Sequence, residues 1–356
     1  MKKVSINTPG YHYDILIGRS VIQMLPELIK EFSPYPIVFI ISRKVEKIHR
    51  EYLSGIIQSI KKSVIFIVDD SESNKSFRYA EKYFNYFAEK GINRKSTIVG
   101  IGGGVIGDFS GFLASLYMRG LPVIHVPTTL LSMVDSSIGG KSAVNIDKGK
   151  NMVGAFHHPK LVISDISFLD TLPVKEWKNG LTEVLKHGLI GESRTLGILE
   201  NNDLQSIQSD KTIIELIYKS AQFKASIVKK DDRETGLRAI LNFGHTVGHA
   251  MESCMKYKGI THGEAVAVGI KAALNISNRR KWLKKTELDW VNALIEKYRL
   301  VDKKYSLDPE KIMNHMKYDK KNFGQKINFV LLKGIGRPQY NCPIDENIIR
   351  EAIQTI

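Results

Sequence analysis

Residues 97–108 read Thr97-Ile98-Val99-Gly100-Ile101-Gly102-Gly103-Gly104-Val105-Ile106-Gly107-Asp108. A short β-branched run enters a glycine cluster containing G-x-G-x-x-G, and a helical pattern follows over 107–117. This order predicts strand, tight turn and helix. Glycines at such a turn let the backbone approach a pyrophosphate, and the helix N-terminus offers free N–H groups and positive potential. The texture repeats on either side. Residues 37–41, 64–68 and 123–126 read as buried strands, with helices over 21–32 and 77–90 between them. Alternating β and α predicts a parallel sheet covered by helices, an α/β Rossmann-like domain. One feature departs from the standard pattern. The acid expected about 20 residues after the glycines is missing, because that segment reads His125-Val126-Pro127-Thr128-Thr129. A ribose contact has to come from elsewhere, and Glu72 in Asp70-Ser71-Glu72-Ser73-Asn74-Lys75 is available.

After about Leu172-Pro173 the texture changes to long helical periods, over 213–229, 241–255, 263–277 and 287–297. The expected division is an NAD-binding α/β domain over 1–172 and a mainly α-helical metal- and substrate-binding domain over 173–356. The 356 residues are 43% hydrophobic and 25% charged, ordinary for a globular protein and wrong for a disordered or fibrous one. No run approaches the roughly 18 apolar residues of a membrane helix. The start, MKKVSINTPGYHYD, lacks the apolar core of a secretory signal, so a cytoplasmic location is expected. Two cysteines, Cys254 and Cys342, make neither a disulfide scaffold nor a four-thiolate zinc site.

The net charge is +15. Between Lys271 and Tyr340 stand 17 basic and 7 acidic residues, with Arg279-Arg280-Lys281-Trp282-Leu283-Lys284-Lys285 the densest run. Aromatic interleaving is sparse and no nucleic-acid motif appears, so a solvated helical face is preferred to a nucleic-acid surface. No membrane or nucleic-acid partner is expected.

Two further constellations carry chemistry. Asp135-Ser136-Ser137-Ile138-Gly139-Gly140-Lys141, followed by Asn145, Lys148, Lys150 and Asn151, suits close approach to a phosphate without being a P-loop. Asn242-Phe243-Gly244-His245-Thr246-Val247-Gly248-His249 puts His245 and His249 on one helix face at i and i+4. Gly244 and Gly248 form a small-residue ridge that admits a neighbouring element. His262 and Glu183 are further ligand candidates. Imidazoles plus one carboxylate would leave an open position for substrate, as in catalytic zinc sites. Spacing alone leaves open which three bind.

The segments GGGVIGD, VPTTLLSMVDSSIGGKSAVN, KNMVGAFHHP, LTEVLKHG, RAILNFGHTVGHAME and HGEAVAVG, in this order, closely resemble the dehydroquinate synthase family of the shikimate pathway. The resemblance runs from about Val4 to the C-terminus. It implies NAD and a zinc or cobalt ion as cofactors, a homodimer, and a carbon–oxygen lyase acting on phosphate. The implied reaction turns 3-deoxy-D-arabino-heptulosonate 7-phosphate, a sugar acid phosphate, into 3-dehydroquinate. NAD oxidises the C5 alcohol, phosphate leaves by β-elimination, C5 is reduced again, and ring opening and an intramolecular aldol step close the carbocycle.

Position by position, the resemblance implies that Glu183, His245 and His262 hold the metal. It implies NAD contacts from Asp70, Glu72, Lys75, Gly104, Val105, Ile106, Gly107, Asp108, Thr128, Thr129, Lys141, Lys150, Phe168, Leu169, Asp170 and Thr171. Catalytic roles fall on Asp135, Lys141, Lys186, Asn242 and His249. Substrate contacts fall on Lys141, Asn151, Lys224, Arg238, Asn242, His249 and Lys320, with Arg119 donated across the dimer interface. At the end of the 37–41 strand the family usually offers an Asp or Asn for the adenosine ribose, where this chain has Ser42 and Arg43. Rival readings are a polyol dehydrogenase of the same fold, a basic nucleic-acid module, and the aminodehydroquinate and inosose cyclases. Lys224 with Arg238 favours a substrate that carries a carboxylate.

Overall fold

In the computed structural model, residues 1–8, 10–30, 35–147, 149–303, 305, 308–320 and 327–355 are described, with 318–320 as backbone alone. Lys148 therefore lies outside the described residues, as does the Lys320 side chain. The chain divides into two compact units. One is Met1–Pro173 with Ile213–Lys229, and the other is Val174–Thr212 with Lys230–Ile356. The helix over 213–229, which the sequence reading placed in the helical domain, thus groups with the α/β unit.

Among the described residues the first unit has nine strands: β1 (Lys2–Thr8), β2 (Tyr11–Gly18), β3 (Ile37–Ser42), β4 (Ser63–Val68), β5 (Thr97–Gly102), β6 (Val123–Pro127), β7 (Lys141–Ile146), β8 (Gly149–Phe156) and β9 (Leu161–Asp165). Seven form one sheet in the order β1-β2-β9-β6-β5-β3-β4. All neighbours are parallel except β1 with β2. The continuous apolar run of β3 follows from burial on both faces. Ile37, Phe39 and Ile41 join Leu53, Ile56 and Ile57 of the Arg43–Gln58 helix on one side. Val38 and Ile40 join Tyr83, Phe87, Phe109 and Phe112 on the other.

From β3 the chain steps outward to β4, then returns to place β5 and β6 on β3's opposite side. The strand order reverses between β3 and β5, and open parallel sheets bind ligands beyond the strand ends at such a switch point. Ser42 and Gly102 are the last residues of those strands. The remaining strands, β7 and β8, which the sequence pattern does not announce, pair as an antiparallel ribbon.

The second unit is mainly helical, with a two-stranded hairpin, β10 (Ile327–Leu332) and β11 (Pro338–Ile344). Its central helix is His262–Arg279, buried along most of its length. Thr261 caps this helix, its Oγ1 accepting from Glu264 N at 3.1 Å. The 241–255 helix expected from periodicity is interrupted. A 3-10 turn covers Leu237–Asn242, Gly244 takes φ +82°, and the α-helix begins at His245.

Candidate active site

The nucleotide-side residues lie in the first unit. Gly103 caps the Gly104–Leu116 helix and brings no side-chain cap, so N–H groups of the first turn keep their positive potential. A β-carbon on Gly107 would meet nothing within 4 Å, which leaves bare backbone suited to a pyrophosphate. Val105 stands in that first turn, while Ile106 is buried in the core. Asp108 pairs with the buried ammonium of Lys75, whose Nζ also donates to Asn151 Oδ1 at 2.5 Å. Burial pushes the Asp108 carboxyl above its ordinary range, against the pull of Lys75.

Asn145 ties these segments together. Its backbone N donates to Lys75 O at 2.8 Å, its Nδ2 to Glu72 Oε1 at 2.9 Å, and its Oδ1 accepts from Asn151 N at 2.9 Å. Lys150 Nζ stands 3.7 Å from Glu72 Oε1. The sequence reading noted Asn145 without a role, since nothing in its local pattern tells a hub from a loop amide. Asp70 accepts from Ser42 Oγ at 2.9 Å, so a carboxylate does stand at the end of β3, supplied by the loop after β4.

Thr128 N donates to Gly102 O at 3.0 Å, and the Thr129 hydroxyl pairs with Ser132 at 2.8 Å. Lys141 is exposed at the start of β7. Phe168 and Leu169 point into the core, Asp170 pairs with Arg19 at 2.7 Å, and Thr171 Oγ1 lies 2.8 Å from His49 Nε2.

Asp135 lies in a π-helical turn, Ser132–Ser136, a local irregularity common at functional sites. The buried Lys224 donates to its Oδ1 at 2.7 Å and its carbonyl at 2.8 Å. In the second unit, Arg238 is 2% exposed, and its Nη1 donates to Asp232 O at 2.6 Å. Asp231, missed by the sequence reading, orders that loop by accepting from Gly236 N and Arg238 N at 2.8 and 2.9 Å. Asn242 Nδ2 donates to Glu234 Oε1 at 2.8 Å.

The second unit also brings Glu183, His245 and His262 together from three helices, with one ligand atom of each within 4.8 Å of the others. Glu183 has no exposed surface, and neither of its oxygens accepts a hydrogen bond among the described residues. Lys186, one turn on, is its ion-pair partner. Both histidines present Nε2 to the same atom, Glu183 Oε1, at 3.8 Å. Two ligands about 2.0–2.1 Å from a tetrahedral ion stand roughly 3.4 Å apart, so this spacing fits zinc with little movement. His245 Nδ1 lies 3.2 Å from Phe243 O, and His262 Nδ1 lies 3.3 Å from Glu252 Oε2. An acceptor at Nδ1 fixes the proton there and leaves the Nε2 lone pair for a cation. Burial, then the charges of Lys186 and the other histidines, hold His245 well below the ordinary imidazole range. Desolvation pulls the His262 imidazole down, but Glu252 and Glu183 outweigh it and raise the ring above its ordinary range.

Close helix packing makes this group possible. A β-carbon on Gly269 would stand 1.9 Å from Gly244 O, so the His262–Arg279 helix rests directly on the turn that starts His245–Cys254. One on Gly263 would fall 2.6 Å from Asn179 O, in the Val174–Ile190 helix that carries Glu183. His249, one turn beyond His245, is exposed and lies outside the trio.

A family model described as 3-dehydroquinate synthase N-terminal matches residues 65–179, and one described as 3-dehydroquinate synthase C-terminal matches residues 180–322. The chain belongs to the 3-dehydroquinate synthase family. A 3-dehydroquinate synthase of Leptospira interrogans serogroup Icterohaemorrhagiae serovar copenhageni is 42% identical, covering 99% of this chain and 98% of that one. One of Methylococcus capsulatus is 40% identical, covering 99% of each. A crystal structure of 2-deoxy-scyllo-inosose synthase complexed with carbaglucose-6-phosphate, NAD+ and Co2+ is similar with a TM-score of 0.90 and 27% identity. That match covers 99% of this chain and 100% of that one. No helix among the described residues of this 3-dehydroquinate synthase family member is long and apolar enough to cross a membrane.

Proposed function

We propose that the chain converts 3-deoxy-D-arabino-heptulosonate 7-phosphate into 3-dehydroquinate and phosphate, as a cytoplasmic homodimer using NAD and a zinc or cobalt ion. The Glu183–His245–His262 group carries this reading, standing in a chain whose relatives share the synthase name over nearly its whole length. Glu183, His245 and His262 would hold the metal ion, which would supply Lewis-acid chemistry at the substrate hydroxyls, and NAD would supply a hydride acceptor that is restored within one turnover.

The chain's own residues bind, orient and move protons. Lys224, already held by Asp135, and Arg238 receive the substrate carboxylate, where a fork-shaped guanidinium fits well. Asn242 and Lys186 orient the hydroxyls beside the metal group. Lys141, Asn151, His249 and Lys320 hold the phosphate, and His249, exposed and outside the metal trio, acts in proton transfer. On the nucleotide side, Gly104 to Asp108 with Lys75, Lys150 and Glu72 form the cradle. Support for the homodimer comes from the Leu116–Arg119 corner. Met118 and Arg119 take φ of +51° and +69°, and Leu116 and Met118 are 46% and 45% exposed. A strained turn with exposed apolar side chains suits a residue delivered to a second copy.

The test follows phosphate release and NADH absorbance together, with the heptulosonate phosphate, NAD and zinc supplied. Phosphate without lasting NADH is the expected result, since oxidation and reduction are both internal. Lasting NADH without phosphate would make the chain a dehydrogenase. The likeness to an inosose synthase structure favours one second reading, a cyclase for sugar phosphates without a carboxylate. Turnover of such a sugar phosphate, with none of the heptulosonate, would establish it instead.

A further inference from the structure

We infer that Glu252 is a positioning residue for the metal group, orienting His262 and strengthening it as a ligand. The inference rests on reading Glu183, His245 and His262 as that group. The two histidines are held differently. His245 Nδ1 faces a neutral backbone carbonyl at 3.2 Å, whereas His262 Nδ1 faces the Glu252 carboxylate at 3.3 Å. The Glu252 side chain is 12% exposed, so solvent screens this contact weakly. His262 is the more open of the two rings, its side chain 31% exposed against 13% for His245. It also stands at the first residue of its helix. A charged acceptor therefore sits behind the ring that most needs one. A carboxylate hydrogen-bonded to one imidazole nitrogen fixes the ring's tautomer and raises the basicity of the other.

A competing arrangement of ligands stands beside this one. His249, Glu252 and His262 also bring ligand atoms within 4.8 Å of one another, which would make Glu252 a ligand. An ion there would draw on His249, Glu252 and His262 and leave the fully buried Glu183 carboxylate with Lys186 as its ion-pair partner and no hydrogen bond to either oxygen among the described residues, a poorly compensated state for a carboxylate inside the protein. Energetics thus favour the ion at Glu183, with Glu252 behind His262. Glu252 lies seven residues after His245 on the same helix, so one element supplies a ligand directly and restrains another through this contact.

The experiment strips metal from the full-length protein and from Glu252→Gln, Glu252→Ala, His249→Ala and Glu183→Gln, then titrates cobalt against a competing chelator while recording its visible spectrum. Binding of NAD, followed by fluorescence, serves as the folding control. Expected is a loss of cobalt affinity of about 10- to 100-fold in Glu252→Ala. The cobalt spectrum should keep its band positions at saturation, because three ligands remain. Glu252→Gln, which retains an acceptor without the charge, should recover part of the affinity, a rescue that a purely structural role would not give. Wild-type affinity in both Glu252 variants would overturn the inference. So would a changed cobalt spectrum in both Glu252→Ala and His249→Ala, which would mark Glu252 as a ligand. If Glu183→Gln bound cobalt as wild type does, the metal reading itself would fall, and this inference with it.

Discussion

An ionised carboxylate without exposed surface needs compensation, and Glu183 receives it from Lys186 on its own helix and from two imidazoles on others. Lys186 is local, one turn along, and would form in any helix of this sequence. His245 and His262 arrive only through tertiary packing. The exposed His249 belongs to the same helix but stays out of the trio. We therefore expect His245→Ala to lose both bound metal and turnover. His249→Ala should keep its metal while turnover falls by about 10²–10⁴-fold, the usual range for a proton-transfer group. Metal content by elemental analysis beside initial rates separates the two, and equal metal loss in both would overturn the ligand assignment.

The helix bearing His262 meets the turn before His245 through bare backbone, so side-chain volume there should act on stability and metal together. Gly269→Ala would force a β-carbon to 1.9 Å from Gly244 O, a strain of about 1–3 kcal/mol or more, and should weaken metal binding. Gly55→Ala, at an exposed position in the last turn of the Arg43–Gln58 helix with nothing within 4 Å, should instead stabilise by about 0.5 kcal/mol. Urea unfolding of the two variants tests both signs. The same contrast explains what could be read from sequence. The runs of β3, β5 and β6 are legible because burial on both faces makes them continuously apolar. The β7–β8 ribbon is not, since Ser142 and Val144 are the buried residues of β7 and β8 has no fully buried residue, so no continuous apolar run marks it. The first strand carries only Val4 and Ile6 as apolar residues turned inward, too few to announce a strand. The choice among four ligand candidates depends on how His262–Arg279 packs against its neighbours, and local periodicity carries no record of that.

Across the molecule, acid should act through His125, which is buried in β6. Burial, with His157 nearby adding to it, pushes this imidazole down to about 4 from 6.5. Between those values the unfolded chain binds the proton and the folded chain does not, so stability is full above pH 6.5 and falls as pH drops toward 4. The loss amounts to about 3 kcal/mol for that shift. Stability measured against pH should show this slope, and His125→Gln should flatten it. A second expectation concerns assembly. On the proposed homodimer, mixing Arg119→Ala with His245→Ala protein should restore activity neither has alone, because a mixed dimer would pair an intact metal group with an arginine from the other copy. No recovery after subunit exchange would remove Arg119 from the shared site.

The division of the chain into units has a consequence for its synthesis. The α/β unit is interrupted at Pro173 and regains its last segment only at Ile213–Lys229, which holds Lys224, the partner of Asp135. A ribosome that has made residue 173 must add 56 more before that unit is whole, roughly 3–11 s at 5–20 residues per second. Throughout that interval Asp135 waits without the lysine that holds it in the finished protein, and the stretch over 174–212 emerges before either unit can close. Vectorial folding of this protein therefore cannot proceed as two successive beads; the first is completed only after the second has begun.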